Sequence, residues 1–97
     1  ICHAEVNTIT NASRHGINTC DSVLYCMAVP CCECAKNLIQ AGVREVIYHT
    51  RWPNMGPKWE ESIKYTKIMF GEAGVSLFGY DGILGVKGMN NGEILDL

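Results

Sequence analysis

His3-Ala4-Glu5 and, after twenty-four intervening residues, Pro30-Cys31-Cys32-Glu33-Cys34 decide the reading of this chain. The two segments offer an imidazole and two thiols for one Zn2+, together with a carboxylate that is not needed as a ligand. A structural zinc site closes its tetrahedron with a fourth Cys or His, whereas a hydrolytic site leaves that position to water. Three ligands beside a free carboxylate therefore imply an open, hydrolytic centre.

Each residue type has a physical task. Cys31 and Cys34 stand one helical turn apart, so both sulfurs face one ion if a helix begins near Pro30, and proline is well tolerated in a first turn. Amide dipoles at that start favour negative charge, which is expected to lower the thiol pKa and hold both sulfurs as thiolates. His3 and Glu5 are two apart and would face different ways on a regular helix. His3 is therefore expected at or just before a helix start, with Glu5 in the first turn as the proton shuttle.

Cys2-His3-Ala4-Glu5-Val6-Asn7-Thr8-Ile9 is similar to C-H-A-E-x-N-A-I of the zinc-dependent cytidine/deoxycytidylate deaminase superfamily, with Thr8 where alanine is usual. Residues 30–43 resemble P-C-x-x-C-A-K-x-I-I-Q-A-G-I, the form found in deoxycytidylate (dCMP) deaminases. The likeness runs on through Arg44-Glu45-Val46-Ile47-Tyr48 and, more loosely, Phe70-Gly71-Glu72-Ala73-Gly74-Val75, covering roughly residues 1–80. It implies an α/β fold, three-layered (α/β/α) with a mainly parallel sheet. It also implies a Zn2+ cofactor held by His3, Cys31 and Cys34, Glu5 as the catalytic acid-base, and contact between the Ala4 backbone and the pyrimidine. The implied reaction is hydrolysis of dCMP to dUMP and ammonia. Two alternatives stay open: a deaminase of another base, nucleoside or tRNA adenosine, and a non-catalytic zinc module that retains the fold.

Ninety-seven residues make a single domain, near the small end of what buries its own core. A formal charge of −2 supplies no basic stripe for a nucleic-acid backbone, so a long polynucleotide is not expected as partner. No apolar run approaches the roughly 18 residues of a membrane span, and no signal peptide is evident. Six cysteines in a short chain could form a disulfide scaffold, but the cluster Cys31, Cys32, Cys34 points to metal ligation in a reducing, cytoplasmic setting. Cys20 and Cys26 read as ordinary residues beside or within a strand, Cys2 and Cys32 as packing residues.

Hydrophobic spacing alternates helix and strand. Helices are expected over 3–15, with Val6, Ile9 and Ser13 on one face; over 31–41, with Ala35, Leu38 and Ile39 inward; and over 58–73, with Trp59, Ile63, Phe70 and Ala73 inward. Gly16, Gly42 and Gly74 stand at their ends. Strands are expected over 22–28, an apolar run covered on both sides, and over 44–49 and 75–80. Residues 81–97, with four glycines and Asn90-Asn91-Gly92, suggest a loop or short hairpin that packs on a neighbouring subunit. A helix between the last two strands makes them parallel. By resemblance, free-nucleoside deaminases have a hairpin there, while dCMP, tRNA and polynucleotide deaminases have a helix.

The resemblance also places a helix and two strands before the metal histidine, so a chain with His3 at its third position reads as truncated. The first strand would then be an exposed edge. Arg51 and Trp52 fall at the carboxyl end of the sheet, where they are candidates for phosphate and for base or sugar. Arg14 and His15 suit the C-terminal dipole of their helix equally well as a nucleotide phosphate. His49 reads as a strand-end residue, Trp59 and Phe70 as core, Lys64 and Lys67 as a solvated face. The resemblance favours a homo-oligomer.

Overall fold

The computed structural model describes residues 3–90 and 92–97. Three helices alternate with three strands, and a hairpin follows: α1 Ala4–Arg14, β1 Val23–Cys26, α2 Cys32–Gln40, β2 Glu45–His49, α3 Pro57–Ala73, β3 Ser76–Tyr80, β4 Lys87–Asn90 and β5 Glu93–Asp96. Proline at the first position of α3 presets its backbone, and Gly74 ends it in the left-handed conformation at φ 74°. Gly42, at φ 81°, closes the turn after α2, where an added Cβ would come within 3.0 Å of the Cys20 backbone. Only glycine fits there without displacing the approach to β1.

β1, β2 and β3 form a parallel sheet with β2 in the centre, in register Leu24↔Val46↔Leu77 and Tyr25↔Ile47↔Phe78. Among the described residues β1 is an edge strand, paired with β2 alone. Side chains alternate between the two faces of a strand. On one face Val46 meets Ala35 and Leu38 of α2, Phe70 of α3 and Val43, with Ile9 of α1, Leu24, Cys26 and Leu77 packed around them. Complete burial of side chains such as Leu38 and Phe70 contributes about 1.5–3 kcal/mol each. All three helices thus lie on the same side of the sheet.

The opposite face carries Tyr25, 75% exposed, and Phe78, 56% exposed. This corrects the expectation that the first strand is covered on both sides: the run lacks polar alternation because its outer positions are apolar too. The second helical layer implied by the resemblance has no counterpart among the described residues. Ser13 and Ala73 are exposed, and the buried position between Ile63 and Phe70 is taken by Thr66. The expected hairpin is β4 and β5, antiparallel, with Lys87 opposite Asp96. It is tied to the preceding loop by the Leu97 carbonyl, which accepts from the amides of Leu84 and Gly85 at 2.7 and 3.0 Å.

Candidate metal centre

His3 and Cys31 occupy equivalent positions. Each is the N-cap of its helix in extended backbone, His3 at φ −68°, ψ 148° and Cys31 at φ −65°, ψ 164°, and neither side chain caps its own helix. An N-cap side chain ordinarily turns back to the first-turn amides. Here both side chains turn toward each other. Pro30 stands one residue before the N-cap, slightly earlier than the first-turn place expected, and Cys34 is the third residue of α2.

Nδ1 of His3 lies 3.4 Å from Sγ of Cys31 and 3.3 Å from Sγ of Cys34. A nitrogen about 2.05 Å and a sulfur about 2.3 Å from one tetrahedral ion are about 3.5 Å apart, so the observed edges match a zinc polyhedron. All three donor atoms fall within 4.8 Å of one another, and among the described residues no other group of three offers such a set. The donors, one imidazole and two soft thiols, suit Zn2+. Cys20 and Cys26 are free thiols away from this set, and Cys26 donates to the Ala28 carbonyl at 3.1 Å. Cys2 lies outside the described residues.

The sulfur electrostatics differ from the sequence expectation. Burial, with only 2% of Cys34 exposed, pushes its thiol up to about 12 from 9.0, and the hydrogen bond that the thiol donates to Cys31 and the charges of Cys31 and Glu5 add to the rise. The Val6 amide of α1's first turn opposes it. Helix dipoles alone therefore do not hold this sulfur as a thiolate. A bound cation has to reverse the order, as it does for any coordinating thiol.

Glu5 is half-buried and borders two adjoining clefts. One, of about 400 Å³, is lined by His3, Cys31, Ala4, Val29 and Trp59; the other, of about 440 Å³, by Ala4, Tyr25, Cys26 and Trp52. Met55 borders both. Glu5 thus faces the space beside the donor set without belonging to it. Its charge also helps burial raise Cys26 to about 12.

Ala4 and Trp52 are brought to this space, whereas Arg51 is exposed in the turn after β2 and lines neither cleft. Its backbone amide donates to Nδ1 of His49 at 3.1 Å. His49 is the strand-end residue expected, 3% exposed and edge-on to Tyr80 at 5.9 Å. Arg14 and His15 sit at the far end of α1, about 15 Å from its start at 1.5 Å per residue. Trp59, expected as core from its spacing, lines the metal cleft, as does Met55, which no sequence motif marks. The strand-end rule that nominates Arg51 and Trp52 extends to Met55, three residues further along the same loop.

The family model for the cytidine and deoxycytidylate deaminase zinc-binding region matches residues 1–50. The chain is 38% identical over 78 residues to human deoxycytidylate deaminase, covering 78% of this chain and 39% of that protein. It is 30% identical over 66 residues to deoxycytidylate deaminase of Enterobacteria phage T4, covering 68% and 34%. ComE operon protein 2 of Bacillus subtilis is 32% identical over 75 residues, covering 77% and 35%. The chain spans about two fifths of the length of the human relative it matches. With the three-donor set at two helix starts and the parallel sheet beneath them, the match over residues 1–50 makes this chain a member of the zinc-binding cytidine and deoxycytidylate deaminase family.

Proposed function

We propose that this chain is the catalytic domain of a deaminase that converts dCMP and water to dUMP and ammonia. The observation that carries the reading is Glu5, half-buried in the cleft beside the His3, Cys31 and Cys34 donors and outside that donor set. Relatives named deoxycytidylate deaminase support dCMP as substrate.

His3, Cys31 and Cys34 hold the Zn2+, which when bound acts as a Lewis acid and lowers the pKa of a water from about 15.7 toward about 7. Glu5 takes a proton from the attacking water and delivers it to N3 of cytosine as the new C4–O bond forms. The same carboxylate carries the second proton to the amino group, which leaves as ammonia when the C4–N bond breaks. The Ala4 backbone meets the pyrimidine edge. Trp52 forms a wall for base or sugar, and Arg51, next to it in sequence, supplies positive charge for the 5′-phosphate.

The protein acts in the cytoplasm as a homo-oligomer. Five free cysteines among the described residues suit a reducing compartment, and no described helix is long and apolar enough to cross a membrane. The homo-oligomer rests on the family resemblance. Ammonia release across cytosine, adenine and guanine nucleosides, nucleotides and tRNA tests the substrate. Preference for dCMP is expected; preference for another substrate overturns dCMP, and zinc binding without turnover on any substrate overturns catalysis.

A further inference from the structure

Two hydroxyls of α3 bracket the metal ligand Cys31. Thr66, fully buried at 0% exposure, donates from Oγ1 to the Pro30 carbonyl at 2.8 Å. Ser62 accepts on Oγ from the Cys32 amide, also at 2.8 Å. The two residues are four apart and share one face of α3, whereas their partners flank Cys31 on either side. The peptide groups before and after the ligand are thus both anchored to the same helix.

Helix-end chemistry gives these contacts their meaning. The Cys32 amide is a first-turn donor of α2, one of the orphan N–H groups that every helix start leaves unpaired. No residue at the N-cap serves it, because a side chain there reaches the amides of the second and third helical residues and not that of the first. A serine or threonine at position 31 would cap the amide of Glu33 or Cys34, would still leave that of Cys32 unpaired, and would remove a thiolate from the metal. Ser62 supplies the missing oxygen from another helix. Pro30 is likewise fully buried, so without Thr66 its carbonyl would lose a partner in a place water does not reach.

We propose that Ser62 and Thr66 are positioning residues for the zinc centre: they form an external cap that fixes the Cys31 backbone so that its sulfur stays committed to the metal. This rests on His3, Cys31 and Cys34 as the ligand set. The cap comes from α3, beyond the family region matched over residues 1–50. Hydrogen-bonded partners behind metal ligands commonly change metal affinity by about 10- to 100-fold, because they set the orientation the ligand would otherwise have to find on binding.

The test is zinc affinity, by competition with a chromogenic chelator, together with the sulfur-to-cobalt charge-transfer band of the Co2+-loaded protein. Ser62→Ala and Thr66→Val should each weaken zinc binding about 10-fold or more and broaden or shift that band, while Thr66→Ser, which keeps the donor, should restore both. Melting of metal-free and zinc-loaded protein separates positioning from general support. A cap on the ligand shrinks the stabilisation that zinc adds, whereas a merely structural contact lowers both melting temperatures equally. Wild-type affinity and an unchanged cobalt spectrum in Ser62→Ala and Thr66→Val would overturn the cap, as would an equal fall in both melting temperatures. If the wild-type chain itself bound no zinc, the ligand assignment would fail instead, and the cap with it.

Discussion

Nδ1 of His3 lies 3.3 Å from Sγ of Cys34, although 31 residues of chain separate them. The meeting is produced by α1 and α2 packing side by side on the sheet, with the first turns of both helices at one end of it. His3 and Cys31 are the N-caps, and the Val6 amide of α1 faces the Cys34 sulfur of α2. Each helix start thus furnishes a ligand, and one also furnishes a donor to the ligand of the other.

One zinc per chain is expected by elemental analysis. His3→Ala, Cys31→Ala and Cys34→Ala should each reduce it severely, while Cys20→Ser should retain it. Because metal binding is linked to folding, chelation should also lower the melting temperature of the wild-type protein. Retention of full zinc in any of the three ligand variants contradicts the assignment.

The pH dependence of the metal-free protein follows from its raised thiols. Burial, then the charge of Glu5, lifts Cys26 to about 12 from 9.0. Between those values the unfolded chain has lost a proton that the folded chain retains, so stability falls as pH rises from 9 toward 12. Below pH 9 both states are protonated, and the contribution is fully present. Urea midpoints at pH 8 and pH 10 should therefore differ less in Cys26→Ala than in wild type. An identical drop in the two proteins would remove Cys26 as a source.

Core substitutions test the one-sided packing. Leu38 is fully buried between α2 and the sheet, so Leu38→Ala should destabilise by about 2–5 kcal/mol in chemical unfolding. Phe78→Ala, on the open face, should cost less than half as much if that face is solvent-exposed in the isolated chain. Equal losses would mean that the outer face is covered.

Substrate recognition is tested at Arg51. Loss of a charge-assisted contact to phosphate costs roughly 1.5–3 kcal/mol, so Arg51→Ala should lower kcat/KM for dCMP on the order of 10- to 100-fold. Deoxycytidine, which has no phosphate, should be almost unaffected. An equal loss for both substrates would move the Arg51 side chain from phosphate recognition to support of the fold.

The donor set was legible because its chemistry is local: H-A-E and P-C-x-x-C each fit within one helical turn, and each turn follows a helix start visible from apolar spacing. The order of helices and strands was legible for the same reason, as was the parallel pairing, since a helix joins β2 to β3. Thr66 was not, because its partner is the carbonyl of Pro30, 36 residues away, and a hydroxyl within a helical pattern carries no mark of a distant acceptor. The raised Cys34 thiol was missed because burial outweighs the amide dipoles at the helix start, and burial belongs to the packed structure. Tyr25 misled because an apolar residue on an open face looks, in sequence, like one that is covered.

The proposed role of Glu5 as proton carrier beside the zinc ligands is tested by ammonia release from dCMP by zinc-loaded wild type and Glu5→Gln. With equal zinc in both proteins, the amide should reduce turnover by about 10²- to 10⁴-fold, the contribution typical of a positioned acid-base group. Turnover by Glu5→Gln within a few-fold of wild type, at equal zinc content, would contradict it.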